Sequence, residues 1–327
     1  MSVIESESLP APAARPDPDP AARRRPGILV RGSYIPYVLI LPALVAMVGV
    51  LGYPLVKVVL LSFQNVNSYV NFTNPALVHW IGLQGFRTVL SDPEFWQVVE
   101  RSLYFTIEVV FVSIALGLLF ASLLNRVSPW AKVLVVTSLM FVWSIPAIVT
   151  GTIFGWMFAG TSGVVDYICY RLGGKGMLNH DWFANPNQGL YLVSAVVVVW
   201  GALPFLVIGL NAAMTQVPKE LVEASRLDGA NVWQSFWHVV LPVIRPFLML
   251  SLSLSFIWDF QVFAQIWSLR QSSPEPGYWT IGIYLYEKGI VSSHYSSSGV
   301  ISIAMILLML AVMIFYIRQI IKIGAQD

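Results

Sequence analysis

Apolar stretches almost free of charge recur along the chain at roughly 34–61, 102–124, 132–158, 190–213, 246–269 and 299–320, separated by connections rich in Gly, Asn, Ser and Pro. Each approaches or exceeds the ~20 residues that a helix needs to cross the hydrocarbon core of a bilayer. The pattern predicts an all-α integral membrane protein with six transmembrane helices over 34–322. Residues 1–33 break that pattern, because Pro10, Pro12, Pro16, Pro18, Pro20 and Pro26 interrupt any helix and large apolar side chains are scarce. A disordered tail is expected there. Arg23, Arg24 and Arg25 precede an apolar run, as in a secretory leader, but that run stays uncharged from Gly32 to Val56 and exceeds the ~7–15 residues of a leader core. It reads as the first span.

Composition agrees with the pattern. Of 327 residues, 57% are hydrophobic and 11% charged, where a soluble domain carries about 25% charged residues. One cysteine, Cys169, excludes a disulfide framework within one chain. The four histidines are too scattered for a sequence-local metal cluster, so no metal site is expected. Basic residues set the orientation. With the tail in the cytoplasm, inward-facing segments hold 12 of the 19 Lys and Arg residues, among them Arg126, Lys132, Lys219, Arg226, Arg245, Arg318 and Lys322. Both termini are therefore expected in the cytoplasm. Trp80, Trp96, Trp182 and Trp279 lie near span ends, where indoles anchor at the headgroups.

No phosphate-binding GxxxxGK[ST], HExxH or GxSxG is present, and no catalytic residue is expected. Gly151-x-x-x-Gly155 reads as close helix packing. The most informative segment is the inner loop over 214–243. Pro218 suits the start of a short helix, Asp228-Gly229 supplies a left-handed turn to end it, and Asn231 caps a second helix expected to stop before Pro242. By local chemistry alone this is either a compact knob or an amphipathic surface loop.

Glu223-Ala224-Ser225, three residues, Gly229, nine residues and then Val239-x-Leu241-Pro242 resemble the EAA signature of permease subunits of binding-protein-dependent ABC importers, with Ser225 replacing the usual second Ala and Val239 the usual Ile. The resemblance extends from Tyr34 to Lys322. It includes Tyr53-Pro54, Ile81–Phe86, Ser91-Asp92-Pro93-x-Phe95-Trp96 and Ser144-Ile145-Pro146-Ala147, and looks like the first permease of carbohydrate systems similar to those for maltose, lactose and glycerol-phosphate. Glu108 within the second span departs from the family. So does Ser272–Gly277, where a Gly-rich turn is usual.

The resemblance implies a bacterial inner-membrane subunit in the lipid bilayer, paired with a second homologous permease, two ATP-binding subunits and an extracytoplasmic binding protein, with no nucleic-acid partner. ATP and Mg would be bound by the ATPases, leaving this chain without cofactors of its own. The 214–243 segment becomes a cytoplasmic coupling loop, with Glu223, Ala224, Ser225, Asp228, Gly229, Leu241 and Pro242 as its signature. Glu223 would touch the ATPase, and Gly229 would permit the turn. An ion-coupled secondary transporter is the competing reading, and it would rest on Glu108 and Asp259 as intramembrane acids.

In the fifth span Ser255, Trp258, Asp259 and Val262 fall at i, i+3, i+4 and i+7, with Gln261 and Gln265 flanking. A hydroxyl, an indole and a carboxylate on one stripe suit a sugar, whose apolar ring faces stack on aromatics while its hydroxyls take hydrogen bonds. Counted from Pro246, Asp259 lies about 20 Å deep at 1.5 Å per residue. A carboxylate there needs a wet cavity or a partner. By resemblance to the maltose-type permease, the same four residues match its sugar-contacting stretch, as do Trp200, Gly201 and Phe205 of the fourth span. Alternatively, the two tryptophans are packing residues and Asp259 pairs with a basic residue of the partner permease. Few basic residues lie within the spans, which disfavours glycerol-phosphate, but the sugar itself is not fixed by this sequence.

Overall fold

The computed structural model describes residues 35–174 and 176–324; the expected tail over 1–33 and Lys175 lie outside them. Apart from one isolated bridge between Gln64 and Trp80, the described residues are helical or irregular, with no strand. Five helices are long and apolar enough to cross a membrane: Tyr37–Ser62, Pro93–Leu124, Pro186–Thr215, Val232–Phe260 and Tyr295–Gln319. A sixth crossing exists only if a broken pair, Pro129–Ser144 and Ala147–Met157, counts as one.

That break corrects the expectation of a single helix over 132–158. The two halves are bent by 100°. Pro146 carries no N–H and biases the residue before it toward extended backbone, and Ile145 adopts φ −77°, ψ 125°. The fifth span differs in two ways. Its helix begins at Val232 rather than near 246 and ends at Phe260, and a separate helix, Ala264–Leu269, follows. The helix capped by Asn231 does not stop before Pro242. The Phe236–Val240 stretch widens into a π-turn, and the helix carries on through Leu241–Phe260. A widened turn is a known way for a helix to absorb a residue that cannot donate to the ladder.

Contacts divide the chain into one unit ending at Pro54 and another starting at Leu55. In the first, Ile35–Met47 is a helix with Pro42 inside it, and Tyr37, Leu39, Val45 and Val50 lie exposed, as lipid-facing side chains do. In the second, the Pro93–Leu124 helix is the organising element. Asp92 caps it by accepting from the Glu94 N–H at 2.9 Å, and Pro93 occupies a position where no N–H is needed. It begins nine residues before the apolar run at 102, so its first turns extend past the expected span.

Its buried face runs its whole length. Phe105 and Val109 join a cluster with Leu190, Val198, Ile266 and Ile283, while Ile114 and Ala121 join another with Leu206, Leu210 and Ile244. Close approach to the Ala195–Thr215 helix is set by Gly117, where a Cβ would lie 3.0 Å from that of Leu206. Asn211 then bridges the pair, donating to the Ala121 carbonyl at 3.1 Å and the Asn125 side chain at 2.7 Å. Interhelical bonds of this kind supply specificity where lipid removes the hydrophobic drive.

Outside the long helices, Ser102 holds the Ile281–Tyr286 helix by accepting from the Ile281 N–H at 2.7 Å, while its own proton goes to the Val98 carbonyl. The Gly151 packing role is realised inside this chain: the Ala147–Met157 and Ala264–Leu269 helices meet there, and a Cβ would strike Ser268 Oγ and the Gln265 carbonyl. The unusual 272–277 segment turns without the usual glycines, through left-handed backbone at Gln271 and Ser272. Arg270 clasps Glu275 across it and lies 4.6 Å from the centre of the Tyr278 ring. That guanidinium, by hydrogen bonding, holds the Glu275 carboxyl below its ordinary pKa. Of the four tryptophans expected as interfacial anchors, Trp80 and Trp96 are exposed. Trp182 is instead buried, donating its indole N–H to Asp166, and Trp279 is half-buried, donating to the Pro274 carbonyl.

Candidate functional site

Two sites come from the sequence, and the same long helix carries both. The elbow starts with the Lys219–Leu227 helix, which ends at Asp228 in a Schellman arrangement: the Ala230 N–H donates to the Ser225 carbonyl and the Gly229 N–H to the Arg226 carbonyl. Gly229 has φ +87°, and no atom lies within 4 Å of where a Cβ would be. The glycine is therefore required by backbone conformation, not by space.

Asn231 opens the next helix with a complete capping box, accepting from the Gln234 N–H at 2.9 Å while Gln234 Oε1 accepts from the Asn231 N–H at 2.8 Å. Ser225 and Ser235 meet at 2.7 Å between the two helices. Because Ser225 donates to the Val222 carbonyl, Ser235 must supply the proton. The replacement of the family's usual Ala by Ser225 thus adds a clasp across the elbow. Ser225→Ala is expected to strand the buried Ser235 hydroxyl at about 1–3 kcal/mol; amide exchange of the Val232–Ser235 turn should rise while the spans stay protected.

Glu223, Ala224 and Asp228 are exposed on the elbow, and so are Leu221 and Leu227, the latter 90% exposed. Leu241 packs with Ile244 and Leu210, and Pro242 faces outward. Between the elbow and the C-terminal part of the Pro93–Leu124 helix lies a groove of about 1180 Å³, lined on one side by Phe111, Ile114 and Leu118 and on the other by Trp233, Val240 and Leu248.

At the far end of the Val232–Phe260 helix the expected stripe divides. Ser255 and Asp259 are buried, at 3% and 6% exposure, and Val262 is buried in the adjoining cluster beyond the helix end. Trp258 is 50% exposed. Trp258 and Asp259 are one residue apart, and that 100° step separates an inward from an outward face. Gln261 caps the helix and is exposed; Gln265, on the next helix, is half-buried.

The fourth-span residues divide likewise. Phe205 packs edge-to-face on Trp258 with ring centres 5.3 Å apart, and Gly201, one turn away on the same face, has open space where a Cβ would be. Trp200 points elsewhere, against Phe154 at 5.5 Å. The structure therefore brings Phe205 and Trp258 together, with Gly201 on the face of Phe205, and groups Ser255 and Asp259 separately with Ser251, one turn below Ser255.

Sequence reasoning passed over Ser251 and Ser113, two residues among many hydroxyls. Their hydroxyls and Asp259 Oδ2 are buried without a hydrogen-bond partner. Buried polar groups are almost always satisfied, so these three orphans, on the Pro93–Leu124 and Leu241–Phe260 helices, are exceptions to the rule.

Residues 113–322 match the family described as "Binding-protein-dependent transport system inner membrane component". The chain is 35% identical over 291 residues to the diacetylchitobiose uptake system permease protein DasB of Streptomyces coelicolor, covering 89% of this chain and 88% of that one. It is 30% identical to the arabinooligosaccharides transport system permease protein AraP of Halalkalibacterium halodurans, with 89% and 88% covered. Among solved structures, a bacterial ABC transporter that imports the acidic polysaccharide alginate contains a chain of the same fold, with a TM-score of 0.74 at 20% identity, covering 88% of this chain and 96% of that one. The helical spans, the capped elbow and these matches converge: the chain belongs to the inner-membrane components of binding-protein-dependent transport systems, and is the permease subunit of an ABC importer.

Proposed function

We propose that this permease conducts a sugar, in the size range of a disaccharide or short oligosaccharide, and that the Val232–Phe260 helix links the ATPase to the pathway. The observation that carries the reading is the continuity of that helix: its foot is half of the capped elbow, and its head holds Ser255, Trp258 and Asp259. In this reading Leu221, Glu223 and Leu227 dock on one of two ATPases, which bind the ATP and Mg. A second permease completes the pathway, and a binding protein delivers substrate from outside. Gly201, Phe205 and Trp258 form a stacking wall, and Asp259 with its neighbouring hydroxyls takes hydrogen bonds. Relatives named for diacetylchitobiose and arabinooligosaccharides support a carbohydrate.

The chain alternates between inward- and outward-facing states, biased by nucleotide below and by the binding protein above. The 100° break at Ser144–Ala147 and the interruption between Phe260 and Ala264 fall in two segments packed on each other at Gly151, so the outer halves of the third and fifth spans are built to move as a pair. With the broken pair counted as one crossing the spans number six and both ends share a side with the elbow, and the excess of basic residues in the tail and elbow supports the cytoplasm as that side. A reporter fused after residue 327 is expected to read cytoplasmic, and one placed in the 270–279 segment external; reversed readings would overturn the orientation.

The deciding experiment is reconstitution. Uptake into proteoliposomes should require ATP inside, the ATPases and the binding protein together. Uptake by the permeases alone under an ion gradient would instead establish secondary transport.

A further inference from the structure

The groove beneath the elbow shares Glu223 with the ATPase-docking residues but otherwise has no role in the mechanism above, and its chemistry is two-sided. Its walls are apolar, from the Phe111, Ile114 and Leu118 face on one side to Val240 and Leu248 on the other, while Arg126, Lys219 and Arg226 stand at its rim with Glu223 as the one acid. All three cations are exposed, and none forms an ion pair among the described residues, where the pairs are Arg270–Glu275 and Lys288–Glu94. The exposed indoles of Trp233 and Trp237 line the same groove, as indoles do at headgroup level. At about 1180 Å³ it exceeds the roughly 300–1,000 Å³ of pockets for small soluble ligands.

We infer that this groove holds an anionic phospholipid of the cytoplasmic leaflet, its acyl chains against the Phe111–Leu118 face and its phosphate between Arg126, Lys219 and Arg226. The net positive rim selects the charge of the headgroup, since a Lys or Arg at the membrane surface attracts anionic lipid and basic pockets between spans hold such headgroups. The apolar walls select a lipid over a free phosphate. The groove lies between the Pro93–Leu124 helix and the moving elbow, so the lipid acts as a compressible filler between the driven part and its support. The inference rests on the cytoplasmic placement of the elbow.

The test uses the assembled transporter in nanodiscs of mixed phosphatidylglycerol and phosphatidylcholine, with retained lipid counted by native mass spectrometry. The parent complex should hold phosphatidylglycerol preferentially, and inorganic phosphate should not displace it. Arg126→Gln, which leaves the elbow untouched, should lower retention about fivefold. Ala115→Trp, which fills the groove from the Pro93–Leu124 helix and leaves every charge in place, should do the same. Equal retention in both variants overturns the inference. Loss with Arg126→Gln alone means that the headgroup rests on the surface with the groove unfilled, and overturns it too. If Ala115→Trp sheds the second permease while lipid stays, a partner helix covers the groove and the lipid does not. Retention is read without transport, so a failure here leaves the importer reading standing, and a complex that holds lipid but imports no sugar counts against that reading alone.

Discussion

Gly229→Val is expected to abolish ATP-driven uptake while the protein still inserts and its spans still assemble. The residue sits at φ +87°, and an added Cβ meets no neighbour within 4 Å. The cost is backbone strain, about 1–3 kcal/mol for a residue held in a sparsely populated region, and is highest for β-branched side chains. That strain is relieved by unwinding the two Schellman bonds from Ala230 and Gly229, after which the Asn231 cap no longer fixes the angle between the elbow helices. Gly229→Asn is the control, because Asn enters left-handed backbone more readily than other non-glycine residues. It should retain most uptake. A Gly229→Val complex with normal substrate-stimulated ATP hydrolysis and uptake would show that elbow geometry does not transmit the ATPase stroke.

Asp259→Ala should cut uptake at least about tenfold, equivalent to ~1.4 kcal/mol of lost interaction, and leave basal ATP hydrolysis and assembly intact. The stability readout separates a functional from a structural carboxylate. Asp259 is 6% exposed, and its Oδ2 has no partner. Removing a buried, uncompensated polar group is expected to leave thermal stability unchanged or raise it. A carboxylate that served packing through an ion pair with a neighbouring subunit would show the reverse, a fall in stability. Trp258→Ala should lower uptake to a similar degree, with a smaller loss of stability than truncation of a fully buried tryptophan because half of that side chain is already exposed; the edge contact to Phe205 adds about 0.5–1.5 kcal/mol beyond area. If both variants assemble and transport at parental rates at every substrate concentration, this face is not the pathway.

Much of this molecule is legible in its sequence, because lipid and backbone hydrogen bonding leave a spanning segment few options. Long uncharged runs marked the spans, and Asp228-Gly229 and Asn231 marked the elbow by turn chemistry that holds in any context. What the sequence hid depends on neighbours. Pro146 breaks its helix while Pro42, Pro204 and Pro246 sit inside theirs, and nothing local tells them apart. Pro242 looks locally like a helix stop, yet the π-turn before it lets the helix pass. The Ser255–Val262 stripe has ideal spacing, but its division at Trp258 depends on where the Pro93–Leu124 and Ala195–Thr215 helices pack. Ser113 and Ser251 stand out only once their burial is known.

The 29 residues from Val232 to Phe260, about 43 Å at 1.5 Å per residue, also fix an angle. The Phe236–Val240 π-turn sets a fixed offset near the foot, and each residue of Leu241–Phe260 adds about 100°, so the direction in which Asp259 faces is tied to the direction in which Ser235 meets Ser225. Elbow and pathway thereby keep a constant phase. Substitutions along the shaft leave that phase alone, whereas one inserted or deleted residue would turn Trp258 or Phe260 toward the place of Asp259 without altering any chemistry at either end. In the proposed mechanism the spacing between elbow and carboxylate therefore counts as much as the residues it separates.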